Sequence, residues 1–162
     1  MTTLLVAVVL GPVLLCLILW FHFGHVTWTL LSVPERRPSQ NPIREDDNLP
    51  PLAILVPLYN EGEIVRPLAH SLARVSYPRK KLEVVFLDDS DEAESRRIVQ
   101  ESREVLARAG VRARVIHRHF RTGWKAGAMN AGLATVVSPY VFILDADFTV
   151  EPGIFRQLLP EM

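Results

Sequence analysis

Cysteine is nearly absent from this sequence, since Cys16 is the only one among 162 residues. An intrachain disulfide is therefore impossible, and a reducing compartment is expected. Net charge is also absent, because 18 Lys and Arg residues balance 18 Asp and Glu residues. The chain thus lacks the basic excess typical of nucleic-acid-binding proteins, and we expect no nucleic acid among its partners. Its length suits one ordinary domain at most.

Charged side chains are missing from residues 4–31. About 20 apolar residues suffice to span a bilayer, and Trp20 and Trp28 stand where an interfacial aromatic belt would lie. A signal peptide is the alternative. However, residues 1–3 carry no basic side chain, and no convincing small-residue cleavage site follows. We therefore predict a retained transmembrane helix over residues 1–33, with the lipid bilayer as a partner.

Two features follow this apolar stretch. Arg36 and Arg37 come directly after it, and cytoplasmic flanks of membrane helices are enriched in such residues. We predict a plasma-membrane protein with its N-terminus outside and the rest of the chain in the cytoplasm. Five prolines punctuate residues 34–51. Proline disfavours helix, so this segment is predicted to be an extended linker.

Acidic residues are missing between Val105 and Leu144. An uninterrupted basic set can be an ordinary solvated face, or it can form a wall that faces an anionic ligand. The second interpretation predicts that this set lies across from the aspartates near residue 145. The basic residues of this window are Arg108, Arg112, Arg114, Arg118, Arg121 and Lys125.

From residue 52 onward, apolar runs alternate with amphipathic stretches, which predicts an α/β fold with a parallel sheet and helices on both faces. If the strand order is 3-2-1-4, a ligand site is expected where the order reverses, between strands one and four. The predicted strands are residues 53–58, 82–87, 111–116 and 140–144. The predicted helices are residues 61–75, 91–109 and 125–136, with a further helix opening at Pro152.

Two carboxylates follow the fourth predicted strand. The apolar run 141–144 favours a strand buried on both faces, and alternation along that strand would place Asp145 and Asp147 on one side. Mg²⁺ and Mn²⁺ prefer oxygen ligands and commonly join carboxylates to a substrate's phosphates. A solvated turn with two unrelated aspartates is the alternative.

The first predicted strand ends in Pro57-Leu58-Tyr59-Asn60-Glu61. Tyr59 can stack on a base or simply pack at the top of the sheet. Asn60 can read a base edge, since its amide both donates and accepts hydrogen bonds. These side chains are expected beside those that follow the second strand.

The second predicted strand ends in Asp88 and Asp89. Asp89 can accept a hydrogen bond from a nucleobase N–H or a ribose hydroxyl. Asp88 projects to the opposite side and can be structural, while Asp91 is expected to cap the next helix.

The segment 121–130 combines glycines with Lys125, which offers a point charge for phosphate. Its glycine spacing matches neither the dinucleotide-binding fingerprint nor the Walker sequence. His117 and His119 alternate along an extended segment, but with no cysteine nearby they are not expected to bind a metal.

Four stretches together resemble glycosyltransferase family 2, most closely its membrane-bound cellulose synthase-like and glucomannan synthase-like branch. They are Leu-Val-Pro-Leu-Tyr-Asn-Glu at 55–61, Phe-Leu-Asp-Asp-Ser at 86–90, Arg-Thr-Gly-Trp-Lys-Ala-Gly-Ala-Met-Asn at 121–130 and Asp-Ala-Asp-Phe at 145–148. The resemblance implies that residues 52–162 form the N-terminal, nucleotide-sugar-binding half of a GT-A domain. It also implies inverting hexosyl transfer from a UDP or GDP sugar, assisted by Mg²⁺ or Mn²⁺.

The resemblance also implies roles for individual residues. Tyr59, Glu61 and Asp89 would hold the nucleoside, with Pro57, Asn60 and Asp88 in the same donor-binding set. Lys125 would lie near the diphosphate, Asp145 would support the nucleotide and the metal, and Asp147 would be a metal ligand.

The family's catalytic base and its Gln-x-x-Arg-Trp acceptor motif do not occur in this sequence, so the base is expected beyond Met162. The acceptor, a glycan or a lipid, is left open. A non-catalytic, membrane-anchored nucleotide-sugar-binding or interaction protein is the main alternative. A phospho-acceptor receiver domain ranks last, because its paired acids follow the first strand, not the second.

Overall fold

A computed structural model describes residues 2–32 and 48–159 of the chain. Two compact units are found, Met1–Pro38 and Ser39–Met162. Most of the predicted proline-rich linker, up to residue 47, lies outside the described residues.

The described residues of the first unit form one helix, α1, at Thr2–Ser32. Its stretch Leu10–Thr29 is long and apolar enough to cross a membrane, a test that a signal sequence also passes. Large apolar side chains are exposed along it, including Trp20, Phe21 and Trp28. Such exposure is costly in water and favourable in lipid. The helical part of the transmembrane prediction is therefore confirmed, and the crossing stays a prediction.

The second unit is a four-stranded parallel sheet with the order β3-β2-β1-β4, as predicted. Its strands are β1 (Leu52–Leu58), β2 (Leu82–Asp88), β3 (Arg112–His117) and β4 (Tyr140–Ile143). Its helices are α2 (Gly62–Ala73), α3 (Ala93–Arg108), α4 (Trp124–Leu133) and α5 (Ile154–Leu158), with a 3₁₀ turn at Arg79–Lys81.

Strand β1 is the centre of this unit, and all seven of its residues are buried. Ile54 belongs to the larger apolar cluster, which includes residues of α2 and α3. Leu55 belongs to a second cluster with Ala128 of α4. Since successive side chains of a strand point to opposite faces, helices cover both faces of the sheet. The predicted α/β layering is confirmed.

Strand β4 differs from the prediction of a strand buried on both faces. It is paired with β1 along one edge only, and its residues are half-buried, with Ile143 47% exposed. The apolar run indicated a strand correctly but not its burial. Burial depends on neighbours, and among the described residues no strand lies on the outer edge of β4.

The chain after β4 folds back onto the end of α2. The Ser76 amide donates to the Pro152 carbonyl at 2.7 Å, and the Arg156 Nε donates to the Ser76 carbonyl at 2.6 Å. The Phe155 ring meets the Phe142 ring edge-to-face at 5.1 Å. The helix predicted to open at Pro152 begins at Ile154.

Candidate functional site

Three strands end level with one another at one edge of the sheet. The pairing sets Leu58 opposite Asp88, and Asp88 opposite His117. Strand β4 stops earlier, with Ile143 opposite Leu55, so the residues after it run beside the end of β1. Every loop that carries a predicted site residue therefore begins at this edge.

A cavity of about 460 Å³ opens at this edge. Its lining includes all the predicted site residues except Asn60 and Asp88. The lining residues are Pro57, Leu58, Tyr59, Glu61, Ile64, Asp89, Arg121, Lys125, Ala128, Asp145, Ala146 and Asp147.

Asp145 and Asp147 reach the cavity from a turn, not from a strand. Strand β4 has already ended at Ile143, and the Phe148 amide donates to the Asp145 carbonyl at 3.2 Å, which closes the turn. The argument from strand alternation was therefore wrong, although both carboxylates line the same cavity. Ala146 between them is buried. Lys125 donates to Asp145 in an ion pair that spans the cavity wall.

The aspartate pair fits a divalent cation only together with other oxygen ligands. Within residues 2–32 and 48–159, no group of three or more His, Cys, Asp or Glu residues is arranged to hold a metal. Mg²⁺ typically keeps several waters and binds through one or two carboxylates plus substrate phosphates. Asp145 and Asp147 line the cavity and can supply the carboxylates of such a site, with Lys125 paired to Asp145 in this structure.

Asp89 is buried and firmly paired. Its side chain is 3% exposed, and Arg118 donates to it twice, from Nε at 2.8 Å and from Nη2 at 2.5 Å. This is the two-pronged geometry that a guanidinium makes with a carboxylate. The hydrogen bonding to Asp89 raises the pKa of Arg118 above its ordinary value. In this structure Asp89 is held by the protein itself.

Tyr59 forms a stack with a cation and a second aromatic ring. The Arg121 guanidinium lies 3.3 Å from the centre of the Tyr59 ring and 4.7 Å from that of Trp124. Gly123 and Trp124 have positive φ angles of 75° and 52°, which turn the chain sharply into α4. One face of the Tyr59 ring is thus covered by Arg121.

Asn60 joins two loops of the protein, and its predicted part in donor binding stays a prediction. Its side-chain oxygen accepts from the backbone amides of Asp91 and Glu92 at 3.1 and 3.2 Å, and its Nδ2 donates to Asp91 Oδ1 at 2.7 Å. These bonds join the loop after β1 to the start of α3, and the Asn60 hydrogen bond lowers the pKa of Asp91. Its side-chain amide makes three hydrogen bonds in this structure and lies outside the cavity lining.

The prediction that Asp91 caps α3 was wrong. The N-cap residue is Glu92, without a side-chain cap bond. Asn60 instead accepts from the amides of Asp91 and Glu92, just before the first helical residue, and reaches them from another loop. A contact from a distant loop leaves no signature in the local sequence.

Asp88 is engaged within the protein, and its predicted place in the donor-binding set stays a prediction. It is buried, accepts from the Ser90 amide at 3.0 Å, and lies 3.4 Å from His117 Nδ1. The rings of His117 and His119 meet edge-to-face at 5.4 Å.

The predicted basic wall is smaller than the sequence suggested. Arg112 and Arg114 pair with Glu83 at 3.5 and 2.9 Å, away from the cavity lining. Arg108 donates to a carbonyl within α3. The members that line the cavity are Arg121 and Lys125. Arg118 stands behind the lining, and its place directly after β3 was the available signal for its importance.

A family profile decides what the chain is related to. The profile of Glycosyl transferase family 2 matches residues 53–162. This chain belongs to glycosyltransferase family 2. The chain is 32% identical over 140 residues to the probable glucomannan 4-beta-mannosyltransferase 3 of Arabidopsis thaliana, covering 81% of this chain and 25% of that protein. It is also 32% identical over 136 residues to glucomannan 4-beta-mannosyltransferase 1 of Oryza sativa subsp. japonica. That match covers 78% of this chain and 26% of that protein. The chain thus spans about a quarter of these relatives.

Solved structures share the fold. The mannosyltransferase PcManGT from Pyrobaculum calidifontis, in complex with GDP-Man and Mn²⁺, superposes with a TM-score of 0.66 at 22% identity, covering 95% of this chain and 42% of that one. S. aureus TarS 1-349 in complex with UDP superposes with a TM-score of 0.59 at 22% identity, covering 68% and 31%. The predicted GT-A fold of this family 2 chain is confirmed.

Proposed function

We propose that this chain is the donor-binding part of an inverting glycosyltransferase. It would move a hexosyl unit from a UDP or GDP sugar to a glycan or lipid acceptor. The observation that carries the proposal is the cavity at the strand ends. Its lining combines an aromatic ring, Tyr59, and a buried carboxylate, Asp89, with Lys125 and the further carboxylates Asp145 and Asp147. The relatives' names point the same way.

Residues of the cavity lining suit the base, the nucleoside and the diphosphate of a nucleotide sugar. Tyr59 offers a face for the base once Arg121 moves aside, and Asp89 offers oxygens to the nucleoside's N–H or hydroxyl groups. Lys125 supplies positive charge for the diphosphate. Asp145 and Asp147 would hold Mg²⁺ or Mn²⁺. When bound, the metal would neutralise charge on the leaving diphosphate.

The proposal assigns every cavity carboxylate to the donor. Glu61 and Asp89 serve the nucleoside, while Asp145 and Asp147 serve the metal and the diphosphate. An inverting transfer also needs a base within hydrogen-bond reach of the acceptor hydroxyl, which typically contributes about 10²–10⁴-fold. We therefore assign none of these four carboxylates the role of that base.

Calorimetry on the full chain in detergent tests donor binding. We expect UDP or GDP to bind at least about tenfold more tightly with Mn²⁺ than with a chelator, because a shared cation offsets repulsion between diphosphate and carboxylates. Comparing the two nucleotides shows which base fits. Equal affinity with and without chelator would contradict the proposal. A full-length gene product that binds a nucleotide sugar but neither transfers nor hydrolyses it would favour the non-catalytic alternative.

We also propose that α1 crosses the plasma membrane with its N-terminus outside. The exposed apolar side chains of α1 and the two arginines that follow it support this. A reporter fused after Met162 should be active only if it is of a kind that works in the cytoplasm. Recovery of a processed protein that lacks residues 1–33 would instead show a signal peptide.

A further inference from the structure

Arg118 lies outside the cavity lining but bonds both a lining carboxylate and the loop next to two lining cations, Arg121 and Lys125. Toward β2 it donates to Asp89 from Nε and Nη2. Toward α4 it donates from Nη1 to the Thr122 carbonyl and from Nη2 to the Trp124 carbonyl, each at 3.0 Å. One side chain, only 16% exposed, thus ties a carboxylate to a loop.

The Asp89 side of this arrangement depends on Arg118. A carboxylate that is 3% exposed is costly unless a charge and hydrogen bonds compensate it. Arg118 supplies both, and its planar fork fixes the plane of the carboxylate. The closest other cation, Arg121, has its Nε 4.0 Å away from Asp89.

The loop side depends on Arg118 as well. Thr122 and Trp124 flank Gly123, and the chain there passes through two consecutive positive φ angles. This loop sets Arg121 against Tyr59 and leads directly into Lys125. The fit is tight, because a Cβ on Gly127 would come within 1.9 Å of the Thr122 carbonyl oxygen and 2.8 Å of Arg118 Nη1.

We propose that Arg118 is a positioning residue that couples the two ends of the donor site. It orients Asp89 for the nucleoside and, through the carbonyls of Thr122 and Trp124, sets Lys125 for the diphosphate. The inference rests on the proposed function. If Arg118 couples the two, a change at Asp89 alters the stability of the loop 121–125. This effect can be measured without any nucleotide.

The ligand-free test is hydrogen exchange on the full chain in detergent. In Asp89→Asn, Arg118 loses its charged partner, so amides of residues 121–125 should exchange at least about threefold faster. Arg114→Lys is the matched control. Arg114 also bonds a carboxylate and a carbonyl, those of Glu83 and Thr135, but outside the cavity. Unchanged exchange in residues 121–125 of Asp89→Asn would overturn the coupling, even if the chain bound no nucleotide.

The binding test compares a nucleoside diphosphate with inorganic pyrophosphate, both with Mn²⁺. Arg118→Lys keeps the charge but loses the fork. It should lower nucleotide affinity by about 10–100-fold, the usual weight of hydrogen bonds to charged groups. The same substitution should also lower pyrophosphate affinity, because the loop before Lys125 is no longer held in place by Arg118. Asp89→Gln should weaken nucleotide binding more than pyrophosphate binding.

Two outcomes of the binding test would overturn the inference. One is an Arg118→Lys variant whose affinities equal those of Arg114→Lys. The other is a loss of nucleotide affinity with pyrophosphate affinity unchanged. That result would mean that Arg118 positions Asp89 but not Lys125. If the unaltered chain binds neither ligand, the proposed function fails, and the exchange experiment alone decides the inference.

Discussion

Replacing Asp147 by asparagine should remove most of the metal dependence of nucleotide binding. Asp147 and Asp145 line the cavity together, and Asp145 is already paired with Lys125. Asp147 is therefore the carboxylate with more freedom to bind a cation. Its loss should lower UDP or GDP affinity in Mn²⁺ by about 10–100-fold, the usual weight of a charge-assisted contact. Calorimetry with Mn²⁺ and with a chelator measures both affinities.

Glu151→Gln is the matched control for this experiment. Glu151 is an exposed carboxylate four residues further on, and it does not line the cavity. The Glu151→Gln variant should bind nucleotide with the same affinity as the unaltered chain. In the Asp147 variant, affinity in chelator should stay nearly unchanged or rise, because a negative charge near the diphosphate has gone. A variant that keeps its full Mn²⁺ enhancement would show that the metal is bound elsewhere.

The architecture of the second unit could be predicted because its signals are local. A short apolar run such as Leu52–Leu58 predicts a buried strand. Amphipathic stretches between such runs indicate crossover helices. The strand order then follows from a small set of allowed topologies. The position of the site follows in turn, because ligands gather where the strand order reverses.

The side-chain contacts within the site could not be predicted, because they join loops that are far apart in the sequence. Arg118 meets Asp89 across 29 positions, and Asn60 meets Asp91 across 31. Residue types at a given spacing show what a side chain can do, whereas its partner depends on how the loops pack. Asn60 suited base reading by chemistry, and the fold used the same donor and acceptor to hold α3. The turn at Asp145 escaped prediction for a related reason, since β4 ends where its pairing with β1 ends.

The largest effect on stability is expected from Phe155→Ala. Phe155 is 1% exposed and lies against Phe142 of β4, although it comes from the short helix α5. Replacing a buried phenylalanine by alanine typically costs about 3–5 kcal/mol, because the transfer free energy is lost and a cavity remains. For a unit of this size, the melting temperature should fall by roughly 10 °C or more.

Leu158→Ala separates this core effect from a general sensitivity of α5. Leu158 belongs to the same helix but is 39% exposed, so its truncation should cost about 1 kcal/mol or less. Thermal melting of the full chain in detergent compares the two variants.

Phe155 packs beneath β4, and the turn bearing Asp145 and Asp147 leaves the end of that strand. Below its own melting temperature, Phe155→Ala should therefore also weaken Mn²⁺-dependent nucleotide binding. Equal melting temperatures for the two variants would mean that Phe155 is not packed against β4 as described.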